Sequence, residues 1–228
     1  MTELAGVSLA GGLVPLAAAG AGALGGLLAH RMARCLVDDE VPVATGLACL
    51  VGAIGWAGIA WRYGASLEAL ELCLLCLVLF VASLTDLAAF VIPDACTLAA
   101  VAVRVAYQLV MGLGAGGGLA PLGAALADAV AVIATLALLT LAMDRLLGRD
   151  SMGGGDIKLL GVAALYVGWR QCLMLLPLAC CLGLASALLR PSGERAGAFP
   201  FGPSIALALW VTLLVGPEVE LWLRAWVI

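Results

Sequence analysis

Charge is what this sequence has least of: of 228 residues only 11% are charged, a single histidine is present, and aromatic residues make up 6%. So little charge excludes an ordinary solvated globular surface, since soluble domains carry roughly a quarter of their residues charged. Eleven basic residues against fifteen acidic ones leave no basic face, which sets aside a nucleic-acid partner. What the chain has instead is apolar, with 64% hydrophobic residues and a strongly positive mean hydropathy. The fold class that follows is an all-α, polytopic membrane helix bundle whose solvent and partner is the lipid bilayer.

The eight cysteines do not form a disulfide or zinc framework. Cys49, Cys73, Cys76, Cys96, Cys172, Cys180 and Cys181 all fall inside apolar runs, where cysteine acts as a small polarizable packing residue. Cys73 and Cys76 make one C-x-x-C, but no second pair and no histidine stand at zinc-site spacing. No metal site is expected.

Apolar runs of about 20 residues, enough to cross a bilayer, recur between short polar breaks. They fall at 5–29, 41–61, 68–86, 93–113, 118–142, 157–169, 171–189 and 203–216, which predicts about eight spans within a range of six to eight. The sixth is short enough to be tilted or re-entrant. In the first, "AAAGAGALGG" is suited to close helix packing in lipid. Only Glu3 is charged before His30, so the positive start of a cleaved signal peptide is missing and the run reads as a retained helix. The last residues, "EVELWLRAWVI", read as an interfacial helix.

Alternating spans put Arg31, Arg34, Arg145, Arg149, Lys158, Arg190 and Arg195 on one side and Arg62, Arg170 and Arg224 on the other. The richer side is predicted to be cytoplasmic. Trp61, Tyr63, Trp169, Trp222 and Trp226 then gather near the outer interface, where amphipathic rings are favoured. Arg104 and Asp128, near the middle of adjacent spans, read as a buried ion pair, because an unpaired charge there costs at least about 2.5 kcal/mol.

Two acids remain. Asp86 ends the third span in "VASLTDLAAFVIPD", and Asp156 begins the sixth in "SMGGGDIKLL". An odd-numbered span ends, and an even-numbered one begins, at the cytoplasmic side, so both carboxylates reach one depth on one face. Acids in membrane helices are costly and therefore point to function. A helix start favours the ionised form of Asp156 and a helix end disfavours it at Asp86, which predicts Asp86 as holder of a shared proton and Asp156 as base. The coupling of such a pair leaves that assignment open. Paired carboxylates can activate a water and protonate a leaving amine, the chemistry of aspartyl proteases. Gly153, Gly154 and Gly155 clear side chains from the approach to Asp156 and permit unusual backbone angles, so an extended peptide could lie there. A phosphate cradle is disfavoured, since no G-K-[ST] follows and the acid would repel an anion.

These stretches resemble a known family. "GGGD" is similar to the G-x-G-D signature of intramembrane aspartyl proteases, and "MGGGDIKLL" resembles the M-G-x-G-D-x-K-L of type IV prepilin peptidases. "TDLAAFVIPD" resembles that family's Asp followed by [IL]-P-D, and "FPFGPSIAL" resembles its F-G-P stretch. Presenilin-like proteases share G-x-G-D but place Tyr before the first acid, where this chain has Thr85.

The resemblance implies an aspartic endopeptidase of the bacterial inner membrane, with its active site facing the cytoplasm. It would cut the basic leader of prepilin or pseudopilin precursors after a Gly that precedes an apolar helix. Asp86 and Asp156 would be catalytic; Gly153, Gly155, Asp94 and Lys158 are candidates for contact with substrate. The basic leader could be drawn to cytoplasmic acids, among them Asp38, Asp39, Glu40 and Asp94, although screening weakens surface charges. Asp94, directly after Pro93, is also placed to stabilise the first turn of its helix. The organisation implied is an N-terminal two-helix region over 1–66, a peptidase bundle over 67–217 and a tail over 218–228.

Longer family members insert two C-x-x-C pairs between the first two spans and also methylate the new N-terminus with S-adenosylmethionine. Here "GGLLAHRMARCLVDDEVP" resembles only the flanks of that insertion, with Cys35 its sole cysteine. Proteolysis needs no cofactor, and S-adenosylmethionine enters only with a methyltransferase activity that the missing insertion argues against. His30, Arg31 and Arg34 then read as anchors to lipid headgroups. The alternative from another class is a non-proteolytic membrane protein, a transporter or inactive relative, whose acids bind ions.

Overall fold

A computed structural model describes residues 2–37, 40–114, 118–148, 151–189 and 199–227. Among these, helices account for nearly everything: α1 (Thr2–Leu36), α2 (Thr45–Tyr63), α3 (Leu67–Ala89), α4 (Asp94–Gly114), α5 (Ala120–Leu147), α6 (Gly154–Leu188) and α7 (Gly202–Val227). Six are long and apolar enough to cross a membrane, and α7 contributes a shorter apolar segment, Gly202–Gly216. The chain is an all-α polytopic membrane protein. Asp38, Asp39, Arg149, Arg190 and Arg195, and the side chains of Trp222, Arg224 and Trp226, lie outside what is described.

Eight predicted spans become seven helices because the sixth and seventh are halves of α6. Gly168 breaks it with φ 79° and ψ 163°, a backbone region open in practice to glycine alone. The first half is about 21 Å long, short of the roughly 30 Å apolar core of a bilayer. The second half turns back: Gly183 lies against Phe199 and Phe201, beside the start of α7, whereas Gly216 near the far part of α7 lies against Gln171. The antiparallel pair expected from hydropathy is therefore present, joined without a polar loop.

The hub is α3, with 56% of its apolar window buried against 22% or less in every other spanning helix. Ser66 starts it, its hydroxyl accepting the Ala69 N–H at 3.0 Å, and Leu72, Leu75, Leu79 and Ala82 fill the core at helical spacing. The first half of α6 is buried from Leu159 to Tyr166. Glycines Gly22 and Gly26 of α1 meet Ala48 and Gly52 of α2 backbone to backbone, the close approach predicted from "AAAGAGALGG". Both helices also pack on α3, and α7 runs unbroken past residue 218, so the tail continues that helix instead of forming its own.

Two expectations for charged and polar residues change. Arg104 pairs not with Asp128 but with Glu71 of α3, at 3.1 Å, both side chains largely buried. The reason is packing: α6 stands between α4 and α5, which barely touch. Arg104 Nε also donates to the Leu165 carbonyl at 3.2 Å, a group that loses its helical partner at the Gly168 break. Asp128 faces the same break, its Oδ2 3.2 Å from where a Cβ on Gly168 would sit. The two charges serve the two halves of one interrupted helix, a cation at the C-terminal end of the first and an anion at the N-terminal start of the second. His30 is buried and donates from Nε2 to the Val43 carbonyl at 2.9 Å. It ties the α1–α2 connection to α1 and does not reach headgroups; Arg31 and Arg34 remain exposed.

Candidate active site

Asp86 is buried in the last turns of α3. Four residues on, Phe90 ends the helix in the left-handed region (φ 56°, ψ 33°), its N–H donating to the Asp86 carbonyl at 2.9 Å. A non-glycine residue held there costs about 1–2 kcal/mol, so the helix end is fixed by its surroundings. Asp156 is in the first turn of α6, half-buried, with its N–H donating to the Gly153 carbonyl at 3.1 Å. The structure brings the two acids to the same end of the bundle, close enough for the Asp86 charge to act on Asp156.

A third helix supplies a group that sequence reasoning missed. The Gly202 N–H, first in α7, donates to Asp86 Oδ2 at 2.7 Å. The F-G-P stretch shapes this contact: Ser204 and Ile205 N–H groups close on the Phe201 carbonyl at 3.0 and 3.1 Å, and Pro203 falls where a missing N–H costs nothing. A glycine before a proline at a helix start was the available signal, but nothing in it names Asp86 as target. The N-terminus of α7 favours an anion where α3's own carbonyls oppose one. The expectation that Asp86 holds the shared proton considered only the latter.

The three glycines differ. Gly153 caps α6 with ordinary extended angles (φ −68°, ψ 140°), and Gly154 and Gly155 are already helical, so unusual backbone angles are not their role. Space is. A Cβ on Gly153 would sit 3.2 Å from Asp156 Oδ2, and one on Gly155 3.2 Å from Ile92 Cβ, whereas Gly154 faces nothing within 4 Å. Asp94 begins α4, and its Oδ1 meets Lys158 Nζ at 2.6 Å. Both side chains are more than half exposed, so the bridge is worth at most about 1 kcal/mol, but it fixes a cation and an anion at the rim beside Asp156. Among the described residues no three His, Cys, Asp or Glu side chains gather as a metal site, and Cys73 and Cys76 are free thiols within α3.

The fold is thus that of a polytopic membrane protein with two carboxylates from non-consecutive helices at one end, one of them capped by the start of a third helix. The model of the type IV leader peptidase family matches residues 73–188, which include both acids, Asp94 and Lys158. The chain belongs to that family. It is 34% identical over 164 residues to a prepilin leader peptidase/N-methyltransferase of Pseudomonas putida, covering 71% of this chain and 55% of that protein. It is 33% identical over 153 residues to the one of Aeromonas salmonicida (65% and 50%), and 26% identical over 193 residues to that of Neisseria gonorrhoeae (85% and 64%). The chain thus spans about half the length of the first of these curated relatives. No solved structure matches it significantly.

Proposed function

We propose that the chain is an aspartic endopeptidase that removes the leader of prepilin or pseudopilin precursors, cutting after Gly at the cytoplasmic face of a bacterial inner membrane. The observation that carries this reading is the placement of Asp86 and Asp156 at the same end of the bundle, one in the last turns of α3 and the other in the first turn of α6. Two carboxylates drawn together around a bound peptide would hold one proton between them. The ionised member takes a proton from a water as its oxygen attacks the scissile carbonyl. The protonated member stabilises the oxygen that gains charge, and the proton gained from water passes to the leaving amine as the C–N bond breaks. Because the titration belongs to the pair, neither acid is assigned the resting proton.

The site end also carries Arg34 and Arg145 in the last turns of α1 and α5 together with Lys158, which supports a cytoplasmic orientation. Trp61 and Trp169 are exposed near the opposite end. Asp94 would meet a basic leader side chain in exchange for Lys158, and the open face over Gly153, Gly154 and Gly155 would take the extended backbone before the cut. Proteolysis of this kind needs no cofactor. The curated relatives carry N-methyltransferase in their names as well; this chain lacks paired cysteines between α1 and α2, and we propose that its product is left unmethylated.

The test is co-expression of a precursor with wild type, Asp86→Asn or Asp156→Asn. The shortened product should appear with wild type only, and mass spectrometry should find its N-terminus bare. Cleavage persisting in both variants would remove the dyad.

A further inference from the structure

An apolar groove of about 460 Å³, lined by α1, α2, α3 and α7, reaches the chain neighbours of Asp86 and of its donor Gly202. Along α3 it is lined by Cys76, Phe80, Ser83, Leu84 and Leu87, a single helix face about 16 Å long that reaches the residue after Asp86. Pro203, Ala206, Leu207 and Trp210 form the facing stripe on α7, which begins at the residue after Gly202, the donor to Asp86. Val51, Ile54 and Leu207 on the rim are all more than 40% exposed, so the groove opens sideways towards lipid.

The lining offers nothing polar to an occupant. The Ser83 hydroxyl donates to the Leu79 carbonyl at 2.8 Å, and the Trp210 indole N–H donates to the Gly55 carbonyl at 3.1 Å. Gly55 itself lines the groove and faces open space, with nothing within 4 Å of where a Cβ would be. Two helix faces at i, i+3, i+4, i+7 spacing with a glycine in the wall make a seat for a third helix. A lipid chain would have no reason to be led to two carboxylates. A polypeptide cut at those carboxylates and continuing as an apolar helix would.

We propose that this groove is the subsite for the apolar helix on the carboxyl side of the cleaved bond, so that the precursor's membrane segment lies along α3 and α7 while its peptide bond sits at the dyad. The assignment rests on the peptidase reading. Gly55→Phe fills the groove from a position with free space, and Leu138→Phe on the exposed surface of α5 is the control.

The full chain in lipid nanodiscs is given two substrates, a precursor with its whole apolar helix and a short peptide that keeps the leader, the scissile bond and a few residues beyond it but lacks the rest of the helix. Gly55→Phe should raise KM for the precursor about tenfold with kcat within twofold, leave the short peptide unchanged, and differ from the control. In parallel, a photo-cross-linking residue at position 207 in Asp156→Asn should capture the precursor's helix. An unchanged precursor KM, equal loss on both substrates, or capture of lipid alone would each overturn the groove assignment while leaving the dyad intact. Wild type that cleaves neither substrate would instead remove the peptidase reading itself.

Discussion

The Gly202 N–H points at Asp86 Oδ2 from 2.7 Å across 116 residues of sequence, joining the start of the last helix to the end of the third. Such a bond to a buried carboxylate is charge-assisted and contributes about 1.5–3 kcal/mol. It makes α7 part of the site, although α7 contributes neither acid.

Substitution of Gly202 tests that bond. A Cβ there would stand 2.8 Å from Asp86 Oδ2 and 3.2 Å from its Cγ, so the carboxylate has to move. Gly202→Ala is expected to lower kcat for precursor cleavage roughly 10- to 100-fold, the rate equivalent of losing that bond. Yield and elution of the detergent-solubilised protein should stay close to wild type. Wild-type turnover in Gly202→Ala would show that the contact does not position Asp86 for the reaction.

The glycines before Asp156 should separate by space. Gly154→Ala meets nothing and adds a better helix former to a first turn, so stability should hold or rise by about 0.5–1 kcal/mol with activity retained. Gly153→Ala crowds the Asp156 carboxylate and Gly155→Ala crowds the branched side chain of Ile92, and each should cut activity severalfold. Thermal melts and cleavage assays on the three variants check the order. Equal losses at all three positions would return the explanation to loop flexibility.

Arg104 gives a test of partner choice. Removing one member of a buried pair costs about 3–5 kcal/mol, because the other charge is stranded. Glu71→Leu and Arg104→Met should each lower the melting temperature sharply, and the double variant should lose less than their sum by about 1–3 kcal/mol. The Arg104 and Asp128 cycle should show smaller coupling, since those side chains meet different ends of the α6 break. The reverse ranking would restore the pairing suggested by hydropathy.

Much of this architecture was legible because the bilayer forces it: apolar run length gives the helices, and alternation of direction puts Asp86 and Asp156 at one end. Motif spacing then singled out the two acids as a pair to be sought together, and the structure puts both at one end of the bundle. What escaped was contact between helices distant in sequence. Glu71 precedes Arg104 by 33 residues in another helix, whereas Asp128 sits in the next span and looked nearer. Gly202 is invisible for the same reason, since hydropathy ranks helices and does not say which ends meet. Hydropathy puts the break in α6 at Arg170, the charge in the middle of the run, while the backbone turns at Gly168, where side-chain absence rather than polarity decides.

That break supports the last prediction. Gly168 adopts angles that strain any L side chain by about 1–3 kcal/mol, and its Cβ would also press on Asp128 Oδ2 at 3.2 Å. Gly168→Ala should therefore lower folded yield and melting temperature. Adding Asp128→Ala removes the contact but not the backbone strain, so the double variant should recover little if anything. Should Gly168→Ala melt as wild type does, α6 could run straight, and its second half would no longer return Gly183 to Phe201 beside Gly202. Precursor cleavage in the same variant then reports whether that return is what holds α7 against Asp86: activity should fall with the fold, since a straight α6 leaves the F-G-P stretch without its packing partner.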